Sequence, residues 1–312
     1  MLQKLSLPFF LIIVLLFSLK YCCPKDSDYL IVSLNTEKSK TSFKKYNSDT
    51  LVINKDVTIG NYFEFLDSIV FKYDSLVSYD LNEHVLVRAN PWIINKLKNT
   101  DYYIMKSRDS FVNNQKQMIA LPKGSYIVLP DSVFIDKLQK TFIKTHIDVN
   151  IPEYKLRIYE DSVMLYEFPI RVGRNENKYL KMAGRNVDLK TETGDGFIVG
   201  YNKNPNYYNP VNGHQYFVTR RDDEKVTKLP RIPFIETEIN GIRNGQLIHP
   251  TTNPNTLGRA YSNGCIGTNE ADAWVIYYYA PIGTKIHIRY DLNVVDKNGN
   301  KVILKDIYGY KL

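Results

Sequence analysis

The stretch LIHPTTNPNTLGRAYSNGCIG (residues 247–267) decides how the second half of this 312-residue chain is organised. It opens with an apolar strand that ends at His249, and the following Pro250 keeps that histidine in an extended conformation. It closes on Cys265, which follows a glycine whose backbone can adopt unusual dihedral angles. Sixteen positions separate the histidine from the cysteine. One loop therefore joins an imidazole to a thiol.

The N-terminal residues have the anatomy of an export signal. One lysine precedes an unbroken apolar run from Phe9 to Phe17, and Lys20 follows it. The wider apolar stretch, from Leu5 to Leu19, is shorter than the ~20 residues that a membrane-spanning helix needs. We therefore expect residues 1–23 to direct export, and the protein to work in the cell envelope.

Two adjacent cysteines, Cys22 and Cys23, follow the apolar run and suggest a lipoprotein signal, in which one of them becomes the lipidated first residue. Tyr21 and Lys20 stand where such signals usually have small or apolar residues, so secretion without a lipid is the alternative. Contact with a membrane is expected only through such a lipid anchor. In either case the third cysteine, Cys265, is left over. An odd cysteine in an exported protein forms an intermolecular link, is buried and inert, or is a reactive thiol.

Composition excludes several classes of function. Hydrophobic residues make up 44% of the chain, which is enough for a packed core in one large or two ordinary domains. The formal charge of +8 comes from basic residues with acidic residues scattered between them, which indicates a solvated surface and no nucleic-acid partner. The sequence has no internal repeat, P-loop, GxGxxG motif or paired Cys/His spacing of the zinc type. No metal or organic cofactor is therefore expected.

Residues 24–145 are expected to form an N-terminal domain in which short apolar runs alternate with polar turns. HVLVRANPWIINKL (residues 84–97), followed by LPKGSYIVLPD (residues 121–131), faintly resembles the end of a LysM-like wall-binding module. The shared features are an Asn-Pro step and a glycine that leads into an apolar strand and a proline. The alternative, which we favour, is an unrelated small α+β domain.

Hydrophobic alternation indicates that the chain is mostly β from about residue 146. In MLYEFPIRV (residues 164–172) every second residue is apolar, which is the period of a strand with one buried face. KIHIRY (residues 285–290) has the same period, and VVDKNGNKVIL (residues 294–304) contains the Asn-Gly step of a type I′ hairpin. We therefore expect a β domain over residues 146–290 and a C-terminal hairpin extension over residues 291–312.

One clear helix is predicted between Gly267 and Pro281. Its apolar residues follow the spacing i, i+3, i+4 and i+7: Ala271, Trp274, Val275 and Tyr278. Asn269 can cap its start, and the proline ends it. This arrangement puts Cys265 two or three residues before a helix start, where unpaired N–H groups lower the pKa of a thiol. Backbone N–H groups at such a turn can also form an oxyanion hole.

A cysteine acylase also needs a base, and the chain offers five histidines. His84 lies in the N-terminal domain, and His146 and His287 occur in strand-like runs where they are expected to face solvent. His214, in an Asn-Gly-His loop, stays open as an alternative. His249 is the best candidate because it ends an apolar strand close in sequence to the lone cysteine, although a histidine before a proline is more often structural.

The histidine at a strand end, the loop, and then Ser262-x-Gly264-Cys265-Ile266 resemble the signature of the L,D-transpeptidase (YkuD-type) catalytic domain family, usually written as His, a spacer, then Ser-His-Gly-Cys. HIDVNIPEYKLRIYEDSVMLYEFPIRVG (residues 146–173) resembles the family's opening strands, and TETGDGFIV (residues 191–199) resembles its Thr-Pro-Thr-Gly turn. FIETEINGIRNGQLIHP (residues 234–250) resembles the strand that delivers the base. The resemblance covers residues from about 146 to 290 and implies a mostly β catalytic domain, a YkuD-like β-sandwich with a helix after the cysteine.

The resemblance assigns roles to individual residues. It makes Cys265 the nucleophile and His249 its base. It implies that the main-chain carbonyl of Pro250 orients the imidazole and that the N–H groups of Cys265 and Gly264 form the oxyanion hole. Ser262 would shape the turn.

Two positions depart from the family's pattern. Asn263 stands where a histidine usually precedes Gly-Cys, and an amide cannot take up charge as an imidazole can. Gly267 stands where an arginine is often found two residues after the cysteine, so that position supplies no cation for a substrate carboxylate. Gly267, Arg259 and Tyr261 are the candidate substrate contacts. Because the base and the nucleophile are both kept, we expect an active variant enzyme.

The resemblance implies a cell-envelope L,D-transpeptidase that acts on peptidoglycan stem peptides. The enzyme would hold a stem as a cysteine thioester and transfer it to an amine acceptor, which cross-links peptidoglycan. Carbapenem β-lactams, to which the family is generally sensitive, are the expected inhibitors. Two alternatives stay open: an L,D-carboxypeptidase or hydrolase of wall-linked peptides on the same scaffold, and a non-catalytic wall-binding envelope protein.

Overall fold

The computed structural model describes residues 50–310. The predicted export signal, with Cys22 and Cys23, lies outside these residues, as do residues 24–49 of the predicted N-terminal domain. Within residues 50–310, no helix combines the length and the apolar composition that a membrane span requires.

The first part of the described chain is a small α+β unit. Its helices are α1 (Tyr62–Tyr73), α2 (Glu83–Ala89), α3 (Trp92–Lys98), α4 (Tyr102–Lys106) and α5 (Ser132–Lys144). Its strands are β1 (Thr50–Val52), β2 (Val57–Thr58), β3 (Ile119–Leu121) and β4 (Tyr126–Val128). β1 pairs with β4 and β2 with β3, both antiparallel. A side-chain cap fixes the start of α5, where Asp131 accepts from the N–H of Phe134 at 2.7 Å.

The second part is built from many strands. They are β5 (Thr145–Asn150), β6 (Lys155–Glu160), β7 (Val163–Pro169), β8 (Val172–Gly173), β9 (Asn177–Leu180), β10 (Arg185–Asp188), β11 (Gly194–Asn202), β12 (Tyr207–Tyr208), β13 (Gln215–Tyr216), β14 (Val218–Arg220), β15 (Val226–Lys228), β16 (Phe234–Ile239), β17 (Leu247–Pro250), β18 (Ala260–Ser262), β19 (Ile266–Thr268) and β20 (Lys285–Arg289). The segment between β11 and β16 forms two small hairpins, β12 with β13 and β14 with β15.

An eight-stranded sheet with the order β19-β17-β16-β11-β20-β5-β6-β7 forms the core of the second part. Most neighbours in it are antiparallel, but β17 pairs in parallel with β19, and β20 with β5. Parallel neighbours cannot be joined by a tight turn. Residues 251–265 make the crossover from β17 to β19, so the sheet topology itself brings the two ends of the 247–267 stretch side by side.

Hydrophobic alternation was a good guide to the sheet, with one limit. Ile286 and Ile288 are buried in β20, as predicted. In the run 164–172, Phe168 and Ile170 are buried, but Met164 is 49% exposed. The register of β7 on β6 shifts between Ile158 and Tyr159, so Met164 pairs with Tyr159, on the face opposite the buried Ile158.

The predicted helix is α6 (Glu270–Tyr279). Its predicted apolar face is buried, and the structure also buries the opposite side, including Ala273, Ile276 and Tyr277. The reason is that α2 and α3 of the N-terminal unit pack against α6. α1 also reaches α6, since the hydroxyls of Tyr62 and Tyr278 lie 2.7 Å apart. The two parts of the described chain therefore share one hydrophobic core.

A C-terminal hairpin follows, formed by β21 (Asn293–Val295) and β22 (Lys301–Ile303). The predicted type I′ turn is wrong. Val295 pairs with Lys301, so five residues form the loop, and only Gly299 among them has a positive φ, at 83°. After the hairpin the chain returns to the sheet and buries Tyr308. The second part is mostly β with a helix shortly after Cys265, and an α+β unit precedes it, so the predicted fold class is confirmed.

Candidate active site

Strand pairing brings His249 and Cys265 to one face of the sheet. In the parallel pair of β17 and β19, His249 lies opposite Gly267. Cys265 directly precedes β19, two residues before that glycine. Side chains alternate along a strand, so positions two apart face the same side. The imidazole and the thiol therefore project to the same side of neighbouring strands.

His249 is held as a neutral imidazole with a defined tautomer. Its Nδ1 lies 2.9 Å from the carbonyl oxygen of Pro250, and the Phe234 ring packs on it with centroids 4.9 Å apart. Because a carbonyl only accepts, Nδ1 carries the proton and Nε2 keeps a free lone pair. Burial lowers the pKa of His249 to about 4, and the positive charge of Arg171 acts in the same direction. At neutral pH the ring can therefore accept a proton.

A tight turn presents the thiol. Gly264 has φ +108°, a conformation that favours glycine. The hydroxyl of Ser262 donates to the carbonyl of Cys265 at 2.6 Å and accepts from the N–H of Gly264 at 3.2 Å. These two bonds close the turn on itself, and Ser262 is buried beneath it.

The environment of the thiol differs from the predicted one. Burial raises the pKa of Cys265, while a hydrogen bond from the Leu247 backbone and the charge of Arg171 oppose that rise. The expected lowering by a helix start is wrong, because α6 begins only at Glu270 and the extended strand β19 lies between. Residues 266–268 are buried and pair with β17, so they form a strand where the sequence pattern predicted the entry to a helix. Because the effect of a helix N-terminus fades within its first turn, the start of α6 does not lower the pKa of Cys265.

Two residues brace this turn from outside the motif. Thr191 donates its hydroxyl proton to the Gly264 carbonyl at 2.9 Å and accepts from the Gly173 N–H at 2.8 Å. Tyr308 donates to the Gly173 carbonyl at 2.8 Å and accepts from the Thr191 N–H at 3.1 Å. Sequence reasoning noticed Thr191 only as the start of a resembling segment. Tyr308, in the C-terminal extension, carried no signal at all.

The two departures from the family's pattern have structural partners. The Oδ1 of Asn263 accepts a hydrogen bond from Arg174, whose own N–H donates to the Ser262 carbonyl at 3.1 Å. Gly267 pairs with Arg171 through two backbone hydrogen bonds of 2.9 and 3.0 Å. An arginine therefore lies beside each unusual position, and neither arginine was singled out from the sequence.

The remaining predicted contacts lie at the rim. Arg259 and Tyr261 belong to the segment that leads into the turn, and both are exposed. The Arg259 carbonyl accepts from the Val172 N–H at 3.1 Å, so the backbone there is fixed while the side chain is not buried.

The other four histidines have partners elsewhere. His84 contacts the Tyr277 carbonyl at 3.0 Å, and His146 stacks on Tyr159. His287 pairs with Asp195 at 2.7 Å. His214 lies in an exposed loop against Tyr216. Among residues 50–310, no group of three or more His, Cys, Asp and Glu side chains could hold a metal ion.

Comparison with known proteins yields one family. Residues 144–288 match the family model of the L,D-transpeptidase catalytic domain, YkuD. A search of curated proteins finds no significant match. The solved structures that are similar to this chain include three L,D-transpeptidases. The L,D-transpeptidase from Mycobacterium smegmatis is 14% identical, with a TM-score of 0.33, and the match covers 47% of this chain and 58% of that one. The L,D-transpeptidase from Xylanimonas cellulosilytica is 13% identical, with a TM-score of 0.35, and the match covers 67% of this chain and 94% of that one. L,D-transpeptidase 3 from Mycobacterium tuberculosis, in complex with a faropenem-derived adduct, is 16% identical, with a TM-score of 0.31, and the match covers 47% of this chain and 60% of that one.

The chain spans 58% of the length of the Mycobacterium smegmatis protein. The family match, in contrast, covers the large sheet from the end of α5 to β20, together with the turn that carries Cys265. Residues 144–288 therefore match the model of the family that the motifs in the sequence resemble, the L,D-transpeptidase catalytic domain, YkuD.

Proposed function

We propose that this protein is a cell-envelope L,D-transpeptidase that uses Cys265 and His249 to form and transfer a thioester of a peptidoglycan stem peptide. The observation that carries the proposal is the shared face of β17 and β19, with a neutral imidazole and a thiol on it. Export, and a lipid anchor at Cys22 or Cys23, belong to the same proposal and agree with a substrate that lies outside the cytosol.

In the first half-reaction, His249 Nε2 takes the thiol proton while Cys265 Sγ attacks a carbonyl carbon. That carbonyl joins the L-configured centre of the stem's diamino acid to the terminal D-alanine. The tetrahedral intermediate collapses when the imidazolium gives its proton to the D-alanine nitrogen. D-alanine leaves, and the stem stays on the enzyme as a thioester, which divides one difficult step into two easier ones.

In the second half-reaction, the uncharged amine of another stem attacks the thioester carbonyl and loses its proton to His249. The C–S bond breaks, the new amide forms, and the proton returns to sulfur. The product is a cross-link between two diamino acids. A hydrolase on this scaffold would follow the same steps with water in place of the amine.

The two pKa values indicate when the proton moves. The pKa of the thiol is raised and the pKa of the imidazole is lowered, so the resting site holds a neutral pair and not a stored thiolate and imidazolium. Proton transfer must then accompany the attack, which is general base catalysis. His249 is consequently a base whose loss cannot be replaced by a thiolate already present.

The oxyanion hole in this proposal rests mainly on the Cys265 N–H. The second proposed donor, the Gly264 N–H, already donates to Ser262 Oγ at 3.2 Å, a long hydrogen bond. It would share its proton between that hydroxyl and the developing oxyanion. Ser262 stays in place through its bond to the Cys265 carbonyl.

The carboxypeptidase is kept as a second candidate because of the exposed aromatic residues between β11 and β17. Phe234 packs on His249, and Tyr207 packs on Phe234. Phe234 therefore contacts the site, and Tyr207 lies behind it. Tyr216 and Phe217 are exposed. A transferase needs water kept from the thioester while the acceptor binds. An incomplete cover would favour water as the acceptor.

The test is incubation of the purified protein with a disaccharide tetrapeptide, followed by mass spectrometry of the products. We expect dimers joined between two diamino acids, with loss of D-alanine, and none with Cys265→Ala. Tripeptide monomers alone would assign the carboxypeptidase reaction. Unchanged substrate, from protein whose circular dichroism is native, would favour the non-catalytic wall-binding role.

A further inference from the structure

Arg171 lies on the same face as the thiol and the imidazole. It forms an antiparallel bridge with Gly267, with backbone hydrogen bonds of 2.9 and 3.0 Å in both directions. Gly267 is also the residue opposite His249 in the neighbouring strand. Residues that pair directly across strands project to the same side of the sheet. The three positions therefore form one row.

The missing side chain of Gly267 makes room for this arginine. A Cβ atom at residue 267 would lie 2.5 Å from Nε and 2.7 Å from Cγ of Arg171. Any other residue would therefore push the arginine aside. The cation that the family often places two residues after the cysteine is thus replaced, in space, by a cation from another strand.

The guanidinium of Arg171 has few partners. Its Nη1 donates to Thr256 Oγ1 at 3.3 Å, and its Nε is buried with no hydrogen-bond partner within residues 50–310. The ionisable neighbours that act on it are Cys265 and Tyr261, and neither is a carboxylate. A half-buried cation with one buried, unpaired N–H is costly in free energy unless an anion joins it.

The charge of Arg171 acts on the proton transfer in two opposite directions. It favours the thiolate of Cys265 and disfavours the imidazolium of His249, so the two effects oppose each other when the proton passes from one to the other. For an anion that a ligand brings, there is no second group on which the charge of Arg171 has the opposite effect. Its attraction to the guanidinium would appear in full as binding.

We propose that Arg171 is a specificity-determining residue that binds a carboxylate of the ligand beside the carbonyl attacked by Cys265. Within the proposed function, on which the identity of the substrate rests, that group is the carboxylate of the terminal D-alanine, which departs with the leaving group. The site would therefore select stems that end in a free carboxylate.

A pair of alkylating agents tests this without any turnover of peptidoglycan. Iodoacetate and iodoacetamide both transfer a two-carbon unit to sulfur with loss of iodide, and they differ in charge. The rate of alkylation at Cys265 is measured for each reagent by mass spectrometry of the peptide that contains it. The ratio of the two rates, iodoacetate over iodoacetamide, cancels changes in the reactivity of the thiol.

We expect Arg171→Gln to lower this ratio on the order of tenfold, the value of a charge-assisted hydrogen bond. Arg171→Lys should lower it less, because the charge is kept. Arg289→Gln removes the same charge from an arginine that pairs with Asp148 and Asp291, and should leave the ratio unchanged. If the ratio is unchanged in Arg171→Gln, the proposal is overturned. It is also overturned if Arg259→Gln lowers the ratio and Arg171→Gln does not.

Gly267→Ala keeps the arginine but displaces it, and so tests the same point if Arg171→Gln fails to fold. It should lower the ratio as well, and adding Arg171→Gln to it should lower the ratio little further. A ratio that stays at the starting value in a folded Gly267→Ala protein would count against the proposal. Because the alkylation needs no peptidoglycan, a protein without transpeptidase activity can still pass this test.

Discussion

Two arginines of this molecule have opposite surroundings. Arg221, in the β14–β15 hairpin, is fully buried and pairs with Glu270 of α6 at 2.7 Å. It also donates to Thr227 and Gln115, at 2.9 Å each. The guanidinium of Arg171, beside Cys265, makes one hydrogen bond, of 3.3 Å to Thr256, and within residues 50–310 no carboxylate pairs with it.

The comparison separates a structural charge from a functional one. The charge of Arg221 is used within the fold, because it joins the hairpin to α6 and to Gln115 of the N-terminal unit. Glu270 adds a bond from the Tyr102 N–H at 3.0 Å. The free energy of this network goes into holding the parts of the chain together. The charge of Arg171 is left for a ligand.

The largest expected effect is at the thiol, on the functional side of this comparison. Cys265→Ala should form no covalent adduct with a carbapenem, whereas the unaltered protein should gain the mass of one carbapenem molecule. Sulfur is the atom that attacks, and alanine offers no replacement. Intact-protein mass spectrometry measures the adduct. An adduct that persists in Cys265→Ala would remove the nucleophile from the proposal.

The next effect is at the base. His249→Ala should slow acylation by the carbapenem ~10²–10⁴-fold, the range typical of losing a general base. The matched control is His214→Ala, since His214 lies in an exposed loop and contacts Tyr216. It should change the rate little. If the control slows acylation and His249→Ala does not, the wrong histidine has been assigned.

On the structural side, Glu270→Gln should destabilise the fold without touching the thiol. It leaves Arg221 buried without its counter-charge, which typically costs about 3–5 kcal/mol in the free energy of unfolding. The control is Glu64→Gln, which removes an exposed carboxylate that pairs with Arg231 and should cost about 0–1 kcal/mol. Urea denaturation at pH 7 measures both. Equal losses would show that the buried pair is no more than a surface contact.

Sequence reasoning succeeded where the signal was local. The apolar strand that ends at His249 and the turn at Gly264-Cys265 were both predicted, because strand period and turn chemistry depend on neighbouring residues. The helix after the cysteine was predicted as well. Its start was not, since the strand β19 forms only through pairing with β17, a tertiary contact.

The partners of the site could not be predicted in this way. Arg171 meets Gly267 across strands far apart in the sequence, and Tyr308 reaches Gly173 from the C-terminal extension. Neither contact leaves a pattern in one sequence. The absence of a side chain at residue 267 suggested a lost cation, and only the packing revealed that another cation fills the space.

The smallest expected effect is a shift in the pH at which carbapenem acylation slows, and it should distinguish Arg171 from Arg221. The pKa of His249 is lowered to about 4 by burial and by the charge of Arg171, so the rate of carbapenem acylation should fall only as pH drops through about 4. Below that pH the ring is protonated and cannot act as a base. Arg171→Gln removes one cause of the lowering, so its acid limb should move up in pH, towards the ordinary value of about 6.5.

Burial of His249 is the larger cause and is unchanged in Arg171→Gln, so the limb should stop short of the ordinary value. Glu270→Gln, measured where it is still folded, should leave the limb in place, because Arg221 is not among the causes that act on His249. A stopped-flow pH–rate profile of acylation measures the pH of the acid limb in each variant. If the limb of Arg171→Gln coincided with that of the unaltered protein, the charge of Arg171 would not reach the imidazole, and the contrast between the two arginines would lose its electrostatic basis.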